Sequence, residues 1–144
     1  MRILPGGESM KKLIVSFMVA GAFLCAAYAS AEEKTHRATV DADGVQRVEV
    51  LGGSYFFRPK HIIVKVNVPV ELKVKKESGV APHNIVIKEP EAGIAFDESM
   101  GTEPKVIRFT PKKTGNYTFY CSKKLIFFES HRDKGMKGVL EVVQ

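Results

Sequence analysis

A thiol, an imidazole and a thioether follow one another near the C-terminal end of the chain. Nine residues separate Cys121 from His131, and four separate His131 from Met136. Thiolate and thioether sulfurs are soft ligands for metals such as copper, and imidazole suits the same metals. The three residue types together therefore predict a soft metal site in this part of the chain.

A second histidine would complete a known ligand set, because blue-copper electron-transfer sites use two histidines, one cysteine and a weak axial methionine. The candidates are His36, His61 and His83. His83 is favoured, since it opens an alternating segment directly after Pro82, which fixes the approach of the backbone. We expect His36 to be solvated and His61 to be an exposed residue at the end of a strand.

The first 31 residues have the composition of a secretory signal peptide. Two lysines follow Met10, an uncharged and mostly apolar run extends from Leu13 to Ala27, and Ala29-Ser30-Ala31 matches the small-x-small cleavage pattern. Met10 is a candidate for the true start. We expect export to the periplasm or an equivalent compartment. A retained membrane anchor is the alternative, because the uncharged stretch is long enough to span a bilayer.

The remaining residues, 32–144, are enough for one domain. The chain has two cysteines, and Cys25 lies within the predicted signal peptide. Cys121 therefore has no partner for an internal disulfide, and a free thiol in an oxidising compartment is a liability unless it is buried or bound. Metal ligation accounts for this lone thiol. We expect the domain to be a monomer.

The elements that would position these residues are predicted to be strands. Seven segments alternate between apolar and polar residues, with glycine and proline between them, which is typical of an all-β sandwich or barrel. The segments begin at Val45, His61, Val70, His83, Lys105, Gly115 and Gly138. We predict about seven to eight strands. Two irregular segments, 89–103 and 123–134, are predicted to be loops, the first with a helical turn.

The segments that carry the candidate ligands resemble the cupredoxin family, and most of all its plastocyanin-type members. The resembling segments are "YFFRPKHIIVKVN", "APHNIVI", "VIRFTPKKTGNYTFYC" and "HRDKGMKGVLEV". The resemblance implies a Greek-key β-sandwich that binds one copper ion through His83, Cys121, His131 and Met136. It also implies that Asn84 braces the cysteine loop through Ser122. The spacing between the cysteine and the second histidine is longer than plastocyanin-type proteins usually have.

The predicted function is one-electron transfer by an exported, single-domain copper protein that is not an enzyme. The alternative is a copper carrier or storage protein with the same ligands and no redox partner. A thiol hydrolase or a small copper oxidase is disfavoured, because the sequence offers no recognisable third triad residue and no second histidine cluster.

The segment Leu125–Phe128 lies between the cysteine and the second histidine and has two interpretations. It packs beneath the loop as a small core, or it forms an apolar rim where a redox partner docks. The surrounding lysines and arginines would steer an acidic partner to this end.

The formal net charge is +6, without a long basic run interleaved with aromatic residues, so nucleic-acid binding is not expected. Membrane contact is expected only if the N-terminal segment is retained.

Overall fold

The computed structural model describes residues 35–144, so the predicted signal peptide at residues 1–31 lies outside the described residues. Within the described range, no helix is long and apolar enough to cross a membrane. The described elements are β1 (Thr35–Arg37), β2 (Gln46–Gly53), β3 (Phe56–Arg58), β4 (His61–Lys65), β5 (Val70–Lys76), β6 (His83–Glu89), a 3₁₀ turn (Pro90–Ala92), β7 (Ile94–Met100), β8 (Lys105–Phe109), β9 (Gly115–Tyr120) and β10 (Lys137–Val143).

The strands form two sheets. One sheet has six strands in the order β1-β4-β10-β9-β6-β7, and the other has four in the order β3-β2-β5-β8. Three neighbouring pairs, β1 with β4, β4 with β10 and β2 with β5, are parallel, and the remaining pairs are antiparallel. The predicted all-β sandwich is therefore confirmed.

The core lies between the sheets and follows the period-two pattern of the sequence. Alternate residues of β2 and β5 are buried, and so are alternate residues of β10. The Phe57 and Phe119 rings meet edge to face across the core, with centroids 5.3 Å apart. Each fully buried aliphatic or aromatic side chain contributes about 1.5–3 kcal/mol relative to exposure. Strand β6 is buried over its first five residues, because it lies between β9 and β7.

The prediction for residues 89–103 was partly wrong. The helical turn is present at Pro90–Ala92, but Ile94–Met100 forms a strand that pairs with β6 along its whole length. Asp97 and Glu98 have low strand propensity and hide the alternation of the segment, whose two ends are both buried. Charged residues are common on strands at the edge of a sheet, where β7 lies.

The described chain has ten strands rather than seven to eight. The three additions are β7 and the two short strands β1 and β3, each of three residues. A strand this short contains too few residues to show a period of two, so the alternation in the sequence did not reveal it.

Three chain segments meet at one end of the six-stranded sheet. Because β9 runs antiparallel to both β6 and β10, the start of β6, the end of β9 and the start of β10 all lie at that end. The loop of residues 121–136 joins β9 to β10 there. Gly138 permits close packing beside this loop, since an added Cβ atom would lie 2.5 Å from the Lys60 carbonyl oxygen and closer still to the Phe119 ring.

Gly138→Ala is therefore expected to lower the free energy of unfolding by about 1–3 kcal/mol, as overpacking of a buried site does. Urea denaturation of the copper-free protein measures this loss. Gly101→Ala is the matched control, because its added Cβ would lie no nearer than 3.8 Å to any heavy atom beyond the adjacent residues. Equal stability of the two variants would show that the Gly138 contact does not constrain this end of the fold.

Candidate metal centre

Each candidate ligand lies at the end of a strand or in the loop that joins two of them. His83 is the first residue of β6, Cys121 directly follows β9, and Met136 directly precedes β10. His131 lies within the β9–β10 loop. Cys121 and Met136 are fully buried, and His131 and His83 are only 2% and 6% exposed. The strand ends thus bring residues that are far apart in sequence into one buried cluster.

Three donor atoms of this cluster face one another. The Nδ1 atoms of His83 and His131 are 3.1 Å apart. The Cys121 Sγ atom lies 3.9 Å from the His83 Nδ1 and 3.5 Å from the His131 Nδ1. A point equidistant from the three atoms lies about 2.0 Å from each, which is a normal metal–imidazole bond length of ~2.0–2.1 Å. The spacing and the chemistry of these donors therefore fit a single metal ion.

Met136 is tied to two of these residues through the backbone. The Cys121 N–H donates to the Met136 carbonyl oxygen at 3.1 Å, and the Met136 N–H donates to the His131 carbonyl oxygen at 2.9 Å. Its buried side chain adds a thioether to the cluster, which gives the His-Cys-His-Met composition typical of blue-copper sites.

The long spacing between Cys121 and His131 does not separate them, because a backbone hydrogen bond closes the loop at its base. The His131 N–H donates to the Lys123 carbonyl oxygen at 2.9 Å. Loop-closure entropy grows only slowly with length, so the extra residues add little to the cost of this closure. Residues 124–130 form the part of the loop beyond the closing bond.

That outer part of the loop is solvent-exposed. All four side chains of Leu125, Ile126, Phe127 and Phe128 are exposed. The interpretation in which they pack beneath the loop as a small core is therefore wrong. The sequence shows four apolar residues in a row but not which way they face, because that depends on the closure at Lys123.

Asn84 links the strand of His83 to the loop of Cys121. Its side-chain Oδ1 accepts a hydrogen bond from the Ser122 N–H, and its Nδ2 donates to the Ser122 Oγ, both at 2.8 Å. The Nδ2 group also donates to the Asp97 carboxylate at 2.7 Å. The backbone N–H of Asn84 points to the Cys121 Sγ at 3.5 Å. The predicted contact with Ser122 is confirmed, and the contact with Asp97 had no signal in the sequence.

Burial favours the neutral form of both histidines. Burial lowers the pKa of His83, and the charges of His131 and Lys76 add to this effect. Burial also lowers the pKa of His131, with a further contribution from Lys134. A metal binds the deprotonated ring nitrogen, so these environments prepare both imidazoles for ligation near neutral pH.

The other candidate histidines lie away from the cluster. His36 is in the exposed strand β1. His61 is in β4, and its Nε2 lies 2.7 Å from the Glu141 carboxylate on the neighbouring strand. Of the three histidines considered, the structure thus brings His83 together with Cys121 and His131.

The sequence did not identify two further residues that lie beside the cluster. Met100 is buried in the core and pairs with His83 across β7 and β6. Its side chain and the methyl group of Met136 both approach the space left by the missing side chain of Gly52.

The second residue is Tyr55, whose ring lies edge-on to His131 with the ring centroids 5.2 Å apart. The backbone of Tyr55 has a φ of 63°. A positive φ is uncommon for a bulky residue.

Asn84→Ala is expected to lower the free energy of unfolding of the copper-free protein by about 1–3 kcal/mol, because the Ser122 and Asp97 groups lose their partner. Chemical denaturation followed by circular dichroism measures the change. Asn116→Ala serves as the control, since Asn116 is exposed on β9. A loss no greater than that of the control would rule out Asn84 as a brace.

Comparisons with known proteins agree with this geometry. The family model of the cupredoxin-like domain matches residues 14–140. No curated protein sequence matches the chain. Several solved structures share the fold at low sequence identity.

The metal-binding domain of the Cu(I)-exporting P-type ATPase CopA of Streptococcus pneumoniae D39, with Cu(I), is 24% identical and gives a TM-score of 0.60 over 78% of this chain and 98% of that one. Reduced auracyanin from the photosynthetic bacterium Roseiflexus castenholzii is 21% identical, with a TM-score of 0.55 over 74% and 99%. The periplasmic domain of cytochrome oxidase subunit II of Bradyrhizobium japonicum is 13% identical, with a TM-score of 0.53 over 68% and 83%. By its family match and its two-sheet fold, the chain belongs to the cupredoxin-like domain family.

Proposed function

We propose that this protein is an electron carrier that holds one copper ion through His83, Cys121, His131 and Met136. The observation that carries the proposal is the convergence of one thiol sulfur and two imidazole nitrogens in a buried cluster, with a methionine bonded to it through the backbone. When bound, copper supplies one-electron chemistry between its Cu(I) and Cu(II) states. This ligand set is the one that blue-copper electron-transfer sites use.

The protein's part is to hold the donors in one arrangement. His83 is fixed by the paired strands β6 and β7, and Cys121 is held by the Asn84 contacts and by its bond to Met136. The Asn84 N–H lies 3.5 Å from the Cys121 Sγ atom and is oriented to donate a hydrogen bond to that sulfur. A donor arrangement fixed by strands and backbone bonds limits the movement that accompanies gain or loss of an electron.

Burial of the donors supports a carrier rather than an enzyme. The three donor residues have at most 6% of their surface exposed, so the cluster offers little direct access to a substrate. An electron does not need such access, because it reaches a buried centre through the intervening side chains. His131 has the ring edge of the partly exposed Tyr55 against it, which gives the cluster a connection toward the surface.

The proposed docking end for a redox partner is the surface around Leu125–Phe128, beside His131. Its apolar residues are exposed, and Lys123, Lys124, Arg132 and Lys134 lie in the same loop. The basic charges would attract an acidic partner surface and would do so less strongly at high salt. The signal-peptide pattern of residues 1–31 supports placing this carrier outside the cytoplasm. We expect it to act as a monomer.

The alternative function is that of a copper carrier or store with the same ligands and no redox partner. A reversible redox titration of the copper-loaded protein, followed by its visible absorption, separates the two. An electron carrier keeps its copper through repeated cycles and regains the full absorption band after each reoxidation. Release of Cu(I) to a chelator on reduction would favour the copper carrier.

Cys121→Ser is expected to abolish the intense thiolate-to-copper absorption band, because Cys121 is the only thiol in residues 32–144. The fold should persist, since the core rests on apolar packing rather than on one sulfur. Visible absorption and far-ultraviolet circular dichroism measure the two expectations. An unchanged visible band in the variant would exclude the proposed ligand set.

Met136→Leu is expected to retain copper and to raise the reduction potential, because a weak donor to Cu(II) is lost. The swap nearly conserves volume, so stability should change by less than ~1.5 kcal/mol. Met100→Leu is the matched control, since it alters the same residue type in the same part of the core. A potential that falls, or that shifts equally in the control, would assign Met136 a different role.

A further inference from the structure

The outer part of the β9–β10 loop contains a turn of unusual composition. The Phe128 N–H donates to the Leu125 carbonyl oxygen at 2.8 Å, which places Ile126 and Phe127 at the two central positions of a four-residue turn. Such positions are normally occupied by glycine, proline, asparagine, aspartate or serine, for reasons of backbone geometry and local hydrogen bonding. Neither residue is favoured there by turn chemistry, so their presence calls for another explanation.

The two central residues of this turn, Ile126 and Phe127, hardly pack against their own protein. Ile126 is 83% exposed and Phe127 is 94% exposed, while Leu125 and Phe128 on either side are 46% and 62% exposed. The side chains of Ile126 and Phe127 therefore stand clear of the surface, and those of Leu125 and Phe128 are partly covered. They form a projecting apolar tip, which differs from the flat apolar patch of many protein interfaces. We call residues 125–128 the apolar tip.

The base of the same loop is basic. Residues 122–136 contain the cations Lys123, Lys124, Arg132 and Lys134 and the two acids Glu129 and Asp133. The Lys134 ammonium lies 4.6 Å from the Tyr55 ring centroid and 5.8 Å from that of Phe128, so the positive charge is adjacent to the apolar tip. Val80, in the connection that leads into β6, is also fully exposed.

We propose that the apolar tip inserts into the interface of an anionic lipid bilayer, with the lysines and arginine at its base against the headgroups. Apolar residues that enter the boundary between headgroups and acyl chains, next to lysine and arginine, are the pattern of peripheral membrane binding. A bilayer accepts a projecting tip without a complementary pocket, whereas a protein partner would need a cavity shaped to receive Ile126 and Phe127. A lipid bilayer therefore fits the geometry of the apolar tip better than a protein partner does.

Insertion would place the His131 end of the domain at the membrane surface, independently of the N-terminal segment. The inference rests on the proposed function only for its purpose, which is electron exchange with a membrane-bound partner. It assigns Leu125–Phe128 to the bilayer, so such a partner would meet the basic residues beside the tip rather than the tip itself. Lipid binding itself needs no copper. An experiment that disproves vesicle binding can therefore be distinguished from one that disproves copper binding.

The chain contains no tryptophan, which permits a local probe. Phe127→Trp puts a single fluorophore on the apolar tip, and Val106→Trp puts one at a partly exposed position on β8 of the other sheet. The copper-free full chain carrying each substitution is mixed with phosphatidylcholine vesicles that contain or lack phosphatidylserine. The expected result is a blue shift of the Phe127→Trp emission, and its quenching by brominated lipid, with the phosphatidylserine vesicles. The Val106→Trp emission should not move.

Affinity measurements with the same vesicles test the two parts of the surface. Combining Ile126→Ser with Phe127→Ser is expected to weaken the tip-specific binding at least roughly tenfold, because two large apolar groups no longer leave water. Lys124→Gln should weaken vesicle binding about fivefold. Lys113→Gln should not weaken it, because Lys113 is an exposed residue of the β8–β9 connection, at the opposite end of the domain. The copper absorption band should be unchanged in all four substitutions.

Several outcomes would overturn the proposal. No shift of the Phe127→Trp emission with either vesicle would exclude insertion of the tip. An equal shift with and without phosphatidylserine would exclude recognition of anionic lipid. Slower electron transfer to an acidic protein in the Ile126→Ser and Phe127→Ser variant, without any vesicle effect, would assign the tip to a protein partner. Cys121→Ser should bind vesicles normally, and this separates the lipid inference from the proposed copper chemistry.

Discussion

The side chain of Asn84 is the physical link on which the cluster of His83, Cys121 and His131 depends. It follows His83 directly in β6 and bonds both the N–H and the hydroxyl of Ser122, the residue after Cys121. This contact lies where β6 and β9 are paired near the end of the sheet. It connects the strand that begins with His83 to the strand that Cys121 directly follows. Its third bond, to Asp97, extends the coupling to β7. One amide thus holds three strands in register at the cluster.

The loop between Cys121 and His131 separates into two parts with different roles. Its base is closed by the backbone bond between His131 and Lys123, which allows the two ligands to meet despite the nine residues between them. Its outer part contributes nothing to the core and exposes apolar and basic side chains. The backbone bond at the base therefore lies between the cluster and the exposed tip of the loop.

The sequence predicted the long strands, and it singled out His83, Cys121 and His131, which the structure brings together, because both leave local signals. Alternation marked all seven of the strands that have five or more residues and lie outside the segment 89–103. Strand β7 was missed since Asp97 and Glu98 obscure its pattern. Contacts made only in the folded state had no local signal: Tyr55 against His131, Met100 opposite His83, and Asn84 with Asp97. The direction of Leu125–Phe128 was equally undetermined, because an apolar run is compatible with a buried or an exposed loop.

We propose above that His83, Cys121 and His131 bind the same copper ion. X-ray absorption at the copper edge of the protein loaded with one equivalent of Cu(II) tests it most directly. The expected spectrum is that of a copper atom bonded to two imidazole nitrogens and one thiolate sulfur. A spectrum with only nitrogen and oxygen ligands, or with a single imidazole, would contradict it.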